Sequence, residues 1–482
     1  MGSQVDDTIV AISTPVGEAA IGIVRMSGKD SLKIADKVFK GKDGVLPSKF
    51  KSHTVRYGWI VKSNRLPATR NRKNRETEYR ASSIEHRNII DEVLLTVMRA
   101  PKTYTKENIV EISCHGGAVA LRKILELILE CGVKLAEPGE FTKRAFLNGR
   151  IDLAKAEAVL DIIRAKTDTA LKLGIEQLSG GLSERIRNLR RRLIDVLANI
   201  EADIDFCDED IETGSRRNLL NEINGIIKQL DIIISDAGRA SFLREGIKVT
   251  ICGRPNVGKS SLLNALLKKE RAIVTPIAGT TRDIIEEFVN IGGLGIRLVD
   301  TAGMVKPKDL IEHRAIRLAK DSIALSDIVL LVFDASQKLA KRDYQLIREL
   351  KGKDVIAVLN KIDLPKRIEE YKIKKEFKAV VLISSLKQTN LDKLEDKIKS
   401  FVYKGKVVSG YGLITANARH IEEIKQARCL LDEAKSSYID KASLEFVALD
   451  LKIALDCLGR ITGETVDDAI LDKIFSEFCI GK

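Results

Sequence analysis

The chain has 482 residues, long enough for two to four domains with cores of their own. Lysine and arginine number 81 against 68 aspartates and glutamates, a formal charge of +13 that reads either as a solvated surface or as a protein meeting a polyanion. No apolar run approaches the ~20 residues needed to cross a bilayer, which excludes a transmembrane helix.

The seven cysteines are scattered at Cys114, Cys131, Cys207, Cys252, Cys429, Cys457 and Cys479, with no C-x-x-C pair. An odd number in a long chain argues against a disulfide framework and for a reducing, cytoplasmic setting. The first residues, Met1 to Asp7, have neither a basic start nor an apolar core, so they do not read as a secretion signal.

In chain order, residues 1–148 mix short apolar runs with helical stretches. Segments 8–12, 21–26, 93–98 and 109–113 read as strands and 119–131 as an amphipathic helix, which predicts a small α+β domain. The insertion 62–88 is rich in Arg, Asn and Glu and lacks periodicity. It reads either as a basic loop touching RNA or as a surface insertion. From 153 to 243 the spacing turns helical. Ala154, Ala158, Ile162 and Ala165 share one face, and Leu219, Ile223, Ile226, Ile227, Leu230 and Ile234 repeat at the helical period. No proline stands between Pro138 and Pro255, so long packed helices are expected. Residues 245–404 alternate strands and helices. Beyond 416 the pattern is helical again, with Ile421, Ile424, Ala427, Leu431 and Ala434 on one stripe. Helical stretches flanking an α/β module predict a discontinuous helical domain, 149–244 and 405–482, with a nucleotide domain inserted at 245–404.

The segment Gly253-Arg254-Pro255-Asn256-Val257-Gly258-Lys259-Ser260 matches the phosphate loop G-x-x-x-x-G-K-[ST]. It follows an apolar run, 247–252, and opens a helical pattern with Leu262, Leu263, Leu266 and Leu267. Backbone N–H groups of such a loop close on phosphates, with a helix N-terminus aimed at them. Lys259 would reach the β- and γ-phosphates, and the Ser260 hydroxyl would bind Mg²⁺. Asn256, Val257, Gly258 and Ser261 join the nucleotide-binding set. In Gly279-Thr280-Thr281-Arg282-Asp283, Thr281 is the candidate for Mg²⁺ and the γ-phosphate. Gly292-Gly293, between strands at 286–291 and 295–299, is a hairpin signal. The second strand enters Asp300-Thr301-Ala302-Gly303, where Asp300 would hold Mg²⁺ through water and the Gly303 N–H would contact the γ-phosphate. Met304 stands where a glutamine would orient the attacking water, so that task must fall elsewhere. Asn256 reads either as a ligand for a monovalent cation near the β–γ bridge or as a residue that shapes the loop.

Asn360-Lys361-Ile362-Asp363, after a strand at 355–359, selects the base. A carboxylate at Asp363 can accept from guanine N1–H and its 2-amino group, whereas adenine offers neither. Charge-assisted bonds of this kind contribute about 1.5–3 kcal/mol each. Ser384-Ser385-Leu386, after a strand at 379–383, would support the base. Together these boxes predict GTP on a mostly parallel sheet wound on both faces.

Further segments lie outside these boxes: Asp7-Thr8-Ile9-Val10-Ala11, Ile23-Val24-Arg25-Met26-Ser27-Gly28 and Cys114-His115-Gly116-Gly117. Others are Pro138-Gly139-Glu140-Phe141-Thr142-Lys143-Arg144-Ala145-Phe146-Leu147-Asn148 and the ending Phe478-Cys479-Ile480-Gly481-Lys482. With these, the whole chain resembles the MnmE (TrmE) family of tRNA-modifying GTPases. The resemblance implies a multidomain α+β and α/β protein: an N-terminal folate-binding domain, a discontinuous helical domain and an inserted Ras-like P-loop GTPase domain. It implies potassium-dependent GTP hydrolysis acting on C5 of the wobble uridine of certain tRNAs. The implied partners are a second copy of the chain, tRNA and the flavoprotein MnmG (GidA), which carries FAD and uses NADH, in a heterotetramer or larger complex. By motif position, Arg25, Glu111, Arg150 and Lys482 fall where the family binds 5-formyl- or methylene-tetrahydrofolate, with Arg150 replacing the usual lysine. Asn256, Thr280 and the backbone oxygens of Thr275 and Ile277 would hold K⁺, and Glu312 would organise the attacking water. Cys479 reads either as a participant in the uridine chemistry or as a small apolar residue. Era-like and Der-like ribosome-assembly GTPases share the nucleotide boxes and are the competing class.

Overall fold

The computed structural model describes residues 7–62, 88–205, 213–269, 286–300, 323–402 and 414–482. It divides into two compact units, Met1–Leu160 with Gly459–Lys482, and Asp161–Leu458.

The first unit is built on seven strands: β1 (Ile9–Ile12), β2 (Ile21–Ser27), β3 (Phe39–Gly41), β4 (Thr54–Val61), β5 (Ile89–Met98), β6 (Ile109–His115) and β7 (Lys134–Leu135). Their order is β3-β4-β5-β6-β2-β1-β7, antiparallel except where β7 runs beside β1. Alternation along the strands turns Val24, Met26, Leu95, Val97, Val110 and Ile112 to one face, where they pack on Ile34, Leu121, Ile124 and Ile128 of the helices Ser31–Val38 and Ala118–Leu129. The same alternation sends Arg25 and Glu111, which are direct cross-strand partners, to the other face.

The four strands read from the sequence are present, each within a few residues of its expected limits. Strands β3, β4 and β7 were not anticipated. Arg56 and Gly58 interrupt the apolar pattern of β4, and Gly58 has a tertiary reason: a Cβ there would lie 2.4 Å from the Lys40 carbonyl of β3. The expected insertion at 62–88 lies almost wholly outside the described residues.

The C-terminal residues of this unit make a small core in which Phe475 and Phe478 meet Leu153, Ala156 and Leu160. Nearby, Arg144 is 1% exposed and donates to three carboxylates, at 2.7 Å to Asp7, 2.8 Å to Glu140 and 3.2 Å to Glu107.

In the second unit the expected helical run becomes separate helices, Asp168–Ser179, Gly181–Asp205 and Thr213–Glu245. The helix that begins at Leu153 ends at Arg164, so the face expected to continue to Ala165 stops one residue short. Thr167 caps the next helix with its hydroxyl, and left-handed Gly180 closes it. In the helix Thr213–Glu245, Leu219, Ile223, Ile226 and Leu230 are buried as the spacing requires, and Ile233 takes the buried place expected of Ile234. The helix Ala418–Ile439 packs on it and buries Ile424, Ala427, Leu431 and Ala434.

The six-stranded sheet of this unit contains β8 (Ile247–Gly253), β9 (Glu286–Ile291), β10 (Leu294–Asp300), β11 (Ile328–Asp334), β12 (Val355–Asn360) and β13 (Val380–Leu382). The order is β13-β12-β11-β8-β10-β9, parallel except for β9. The β9–β10 turn uses Gly292 at φ 60° and Gly293 at φ 87°, the paired positive values that a tight hairpin turn demands. Both faces are covered. Ile251, Leu330 and Val358 pack with Leu262, Leu266 and Ile398 on one side, and Leu331, Phe333 and Leu359 with Leu346, Ile347 and Ile373 on the other. Leu173 and Leu243 from the helices enter the first of these cores. Strands β9 and β10 lie to one side of β8 and β11–β13 to the other, so the sheet opens a crevice at the C-terminal end of β8. Among the described residues no helix is long and apolar enough to cross a membrane.

Replacing Arg144 by methionine would remove the buried cation that three clustered carboxylates share and is expected to destabilise the first unit by about 3–5 kcal/mol. The single tryptophan, Trp59 on β4, reports unfolding of this unit by fluorescence. Asp7 adds a pH signature. The Lys134 ammonium and, against the cost of burial, Arg144 hold its carboxyl below the ordinary carboxylate range. A folded-state pKa below the unfolded value of about 3.9 means that its contribution is complete above that value. It is lost as pH falls through the depressed value, and a urea midpoint unchanged across that acid range would contradict the assignment.

Candidate functional site

The phosphate loop leaves β8 at the crevice and feeds the helix Lys259–Lys269. Three backbone positions shape it. Gly253 has φ 150°, and a Cβ there would lie 2.4 Å from the Val332 carbonyl of β11. Asn256 has φ 65°, which asparagine tolerates better than most residues. Gly258 has φ 99°, and a Cβ would lie 2.2 Å from the Asn360 Nδ2. The Lys259 ammonium donates to the carbonyls of Gly253 at 3.1 Å and Arg254 at 2.9 Å, which keeps its charge against the inside of the loop. Val257 is buried, whereas Ser260 and Ser261 are exposed on the first turn of the helix. An exposed hydroxyl at a helix N-terminus fits a Mg²⁺ that shares phosphate oxygens.

The base-selecting segments are joined to this loop. Asn360, 2% exposed at the end of β12, donates through Nδ2 to the Val257 carbonyl at 3.0 Å. Its Oδ1 accepts from the Ser385 N–H and hydroxyl, each at 3.0 Å. Lys361, at φ 66°, donates to the Asn256 carbonyl and to Asp334 Oδ2, each at 2.7 Å. Asp334 was not singled out from the sequence; its only signal there was its place at the end of a wholly buried strand. Burial works against its charge, but Lys361 and Ser336 hold its carboxyl below the ordinary range. Asp363 accepts from the Ser384 hydroxyl at 2.5 Å, which holds its carboxyl below the ordinary carboxylate range. An ionised carboxylate with a free second oxygen direction suits the two N–H donors of guanine. Leu386, at the end of the Ser384-Ser385-Leu386 turn, is 83% exposed.

Asp300 ends β10 in register with Ile251 of β8, which brings its backbone beside the loop-bearing strand. Thr275, Ile277, Thr280, Thr281, Thr301, Ala302, Gly303 and Glu312 lie outside the described residues.

A second constellation occupies the first unit. Arg25 Nε meets Glu111 Oε1 at 2.7 Å, with the side chains 18% and 22% exposed. Arg25 also donates to the Gly481 carbonyl at 3.3 Å and lies over the Phe141 ring at 5.7 Å. The C-terminal tail is held by backbone: the Phe141 N–H donates to the Lys482 carbonyl at 3.0 Å, and Ile480 bridges Pro138. Gly481, at φ 93°, passes so close to β1 that a Cβ would lie 2.5 Å from the Ile12 carbonyl. Arg25, Glu111 and the tail bearing Lys482 are therefore brought together. Arg150 stands instead over the Tyr104 ring at 4.8 Å and lines a recess with Lys102 and Lys106. Neither Phe141 nor Gly481 was singled out as functional from the sequence. Cys479 is exposed on the tail. A largely buried cation and carboxylate side by side offer a donor and an acceptor that fit the carboxylates and the amide-like edge of a folate.

A phosphate loop at the switch point of a six-stranded sheet, with an Asn-Lys-x-Asp segment latched onto it, defines a P-loop GTPase, an enzyme that hydrolyses GTP. The comparisons with known proteins place it more narrowly. The family model described as the MnmE helical domain matches residues 153–479, and the one described as the GTP-binding protein TrmE N-terminus matches 8–150. The tRNA modification GTPase MnmE of Lactococcus lactis subsp. lactis is 45% identical over 100% of this chain and 99% of its own length. That of Clostridioides difficile is 44% identical over 99% of this chain and 100% of its own. The chain belongs to the MnmE family of tRNA modification GTPases. Among solved structures, Era of Aquifex aeolicus bound to GDP·AlF4⁻ is 32% identical over 38% of this chain and 66% of that chain, at a TM-score of 0.28, and this partial likeness adds nothing to the family assignment.

Gly258→Ala combines a left-handed backbone with a clash against Asn360. It is expected to abolish GTP binding in titration calorimetry while leaving the Trp59 signal of the other unit unchanged; retained GTP affinity would show that the loop relaxes around the new methyl.

Proposed function

We propose that this chain couples GTP hydrolysis to modification of a tRNA wobble uridine at carbon 5, acting with a flavoprotein of the MnmG type and as a homodimer. What supports the reading most is one chain carrying both a GTP site and a cation–carboxylate pair closed by its own C-terminal tail. The domain limits we propose are 1–148, 149–244, 245–404 and 405–482.

In the nucleotide site, Asp363 holds guanine, Asn360 keeps the loop and base segments in register, and Lys259 carries positive charge to the β- and γ-phosphates. Ser260 and Thr281 would hold Mg²⁺, which neutralises phosphate charge when bound. Asn256 and Thr280, with the carbonyls of Thr275 and Ile277, would hold K⁺, which adds positive charge near the β–γ bridge. Glu312 orients the attacking water, the task Met304 cannot perform. In the other unit, Arg25, Glu111, Arg150 and Lys482 would hold a tetrahydrofolate, which supplies a one-carbon unit when bound. FAD and NADH would act on the partner. The exposed position of Cys479 is compatible with a part in the uridine chemistry.

Turnover measured in K⁺ and in Na⁺, for the wild type and for Glu312→Ala, tests the hydrolytic roles. K⁺ should be at least tenfold faster, an expectation scaled to the ~10³–10⁵ that a finger arginine contributes elsewhere. Glu312→Ala should bind GTP and not turn it over; equal rates in the two salts, or an active variant, would reassign the groups. Binding of radiolabelled 5-formyl-tetrahydrofolate separates this reading from an Era-like or Der-like GTPase. The wild type should retain it and Arg25→Ala should lose it, whereas no binding by the wild type would favour the competing class.

A further inference from the structure

In the first unit a recess of about 410 Å³ lies beside the end of β5, with Lys102, Lys106 and Arg150 as its charged lining and His53 at its edge. None of the lining residues is acidic. The nearest glutamate in sequence, Glu107, is turned away and engaged by Ser27 and Arg144. Three cations facing one open hollow repel one another, and the fold does not relieve them with a carboxylate from the lining.

The arrangement is built rather than incidental. Lys106 sits at φ 60° and His53 at φ 59°, a backbone region that such side chains rarely adopt. The Lys106 ammonium is tied to the Gly149 carbonyl at 3.0 Å, just before Arg150. Arg150 is spread over the Tyr104 ring at 4.8 Å, a cation–π contact that fixes its plane and leaves its outer N–H groups to an anion.

The recess is also connected to the Arg25 site. Tyr104 packs against the apolar cluster of Ile9, Ala11, Ala136 and Phe141. Phe141 carries the Arg25 guanidinium on its ring. One apolar cluster thus bears Arg25 on one aromatic ring and Arg150 on the other, on the side of the sheet opposite its main core. The cluster itself is buried, so its two rings hold Arg25 and Arg150 in fixed positions, and a ligand engaged by Arg25 and Glu111 at one end would meet Arg150 with its far end.

We infer that this recess is a subsite for the γ-linked glutamyl chain of a tetrahydrofolate, so that the protein prefers the polyglutamylated form over the monoglutamate. Each added γ-glutamyl residue contributes one more carboxylate, and Lys102 and Lys106 meet the carboxylates beyond the one at Arg150. The openness of the hollow suits a chain that enters from solvent and stays partly hydrated. The inference rests on the folate reading above and names the form of ligand that site takes.

The test is equilibrium binding of tetrahydrofolate monoglutamate and pentaglutamate to the full chain, for the wild type, Lys102→Ala/Lys106→Ala and Lys102→Arg/Lys106→Arg. Two or three exposed charge pairs predict a preference for the pentaglutamate of about tenfold in the wild type, shrinking as salt is raised. The alanine pair should bring the pentaglutamate down to the affinity of the monoglutamate, and the arginine pair should keep the preference. Equal affinity of the two forms in the wild type overturns the subsite, as does a preference that survives the alanine pair. If the alanine pair weakens tRNA binding while glutamyl number has no effect, the cations serve RNA and the proposal fails. If neither folate binds the wild type, the folate reading falls and takes the subsite with it, an outcome distinct from equal binding of both.

Discussion

One buried amide holds the nucleotide site together. Asn360 is tied at both ends of its amide: Nδ2 donates to the Val257 carbonyl of the phosphate loop, and Oδ1 accepts from the Ser385 N–H and hydroxyl. Three segments far apart in sequence are thereby fixed at hydrogen-bond distances. An unpaired amide in that position would cost the desolvation of both its polar atoms, so the three segments are stable only when all are in place. The phosphate loop cannot shift without releasing the base-selecting turn. Lys361 repeats the linkage next door, from Asn256 to Asp334. The recognition of phosphate and of guanine is a single mechanical unit for this reason.

The sheet beneath explains where that unit sits. Strands β9 and β10 leave β8 on one side and β11–β13 on the other. The crevice this creates is the place where backbone N–H groups at the end of β8 are not taken up by a neighbouring strand. Leu173 and Leu243, from the helices that precede β8, are part of the core under this sheet. The helices and the nucleotide sheet of this unit therefore share buried apolar surface. A rearrangement of β9 and β10 would have to repack that core, and close-packed cores do not deform smoothly.

In the first unit the constraint is the alternation of a sheet with one covered face. Once Val24, Met26, Val110 and Ile112 are committed to the core, Arg25 and Glu111 have to emerge opposite one another on the other side. The tail then closes against them because Gly481 permits an approach to Ile12 that no side chain would allow. Charge on this face is arranged by pleat and by close backbone approach, not by the local sequence around either residue.

Much of this was legible in the chain. The phosphate loop, the Asn-Lys-x-Asp segment, the Gly-Gly hairpin and the strands around them are local patterns, and each was found within a residue or two of its reading. Local chemistry decides them: glycines where φ is positive, apolar runs where a strand is buried on both faces. What was missed depends on neighbours. Strand β4 carries Arg56 and Gly58 in an interrupted pattern and is a strand because β3 and β5 flank it. In the sequence Asp334 is one strand-terminal acid among others, and its role comes from Lys361, which reaches it across the fold. The cation–π contact of Arg150 with Tyr104, beside Lys102 and Lys106, had no local signal. The sequence alone thus determined which nucleotide is bound and which family the chain belongs to, because those depend on residue types at fixed short spacings. Only the tertiary structure decided which distant groups share a pocket, because that depends on strand register, on close backbone approach and on which rings lie under which cations.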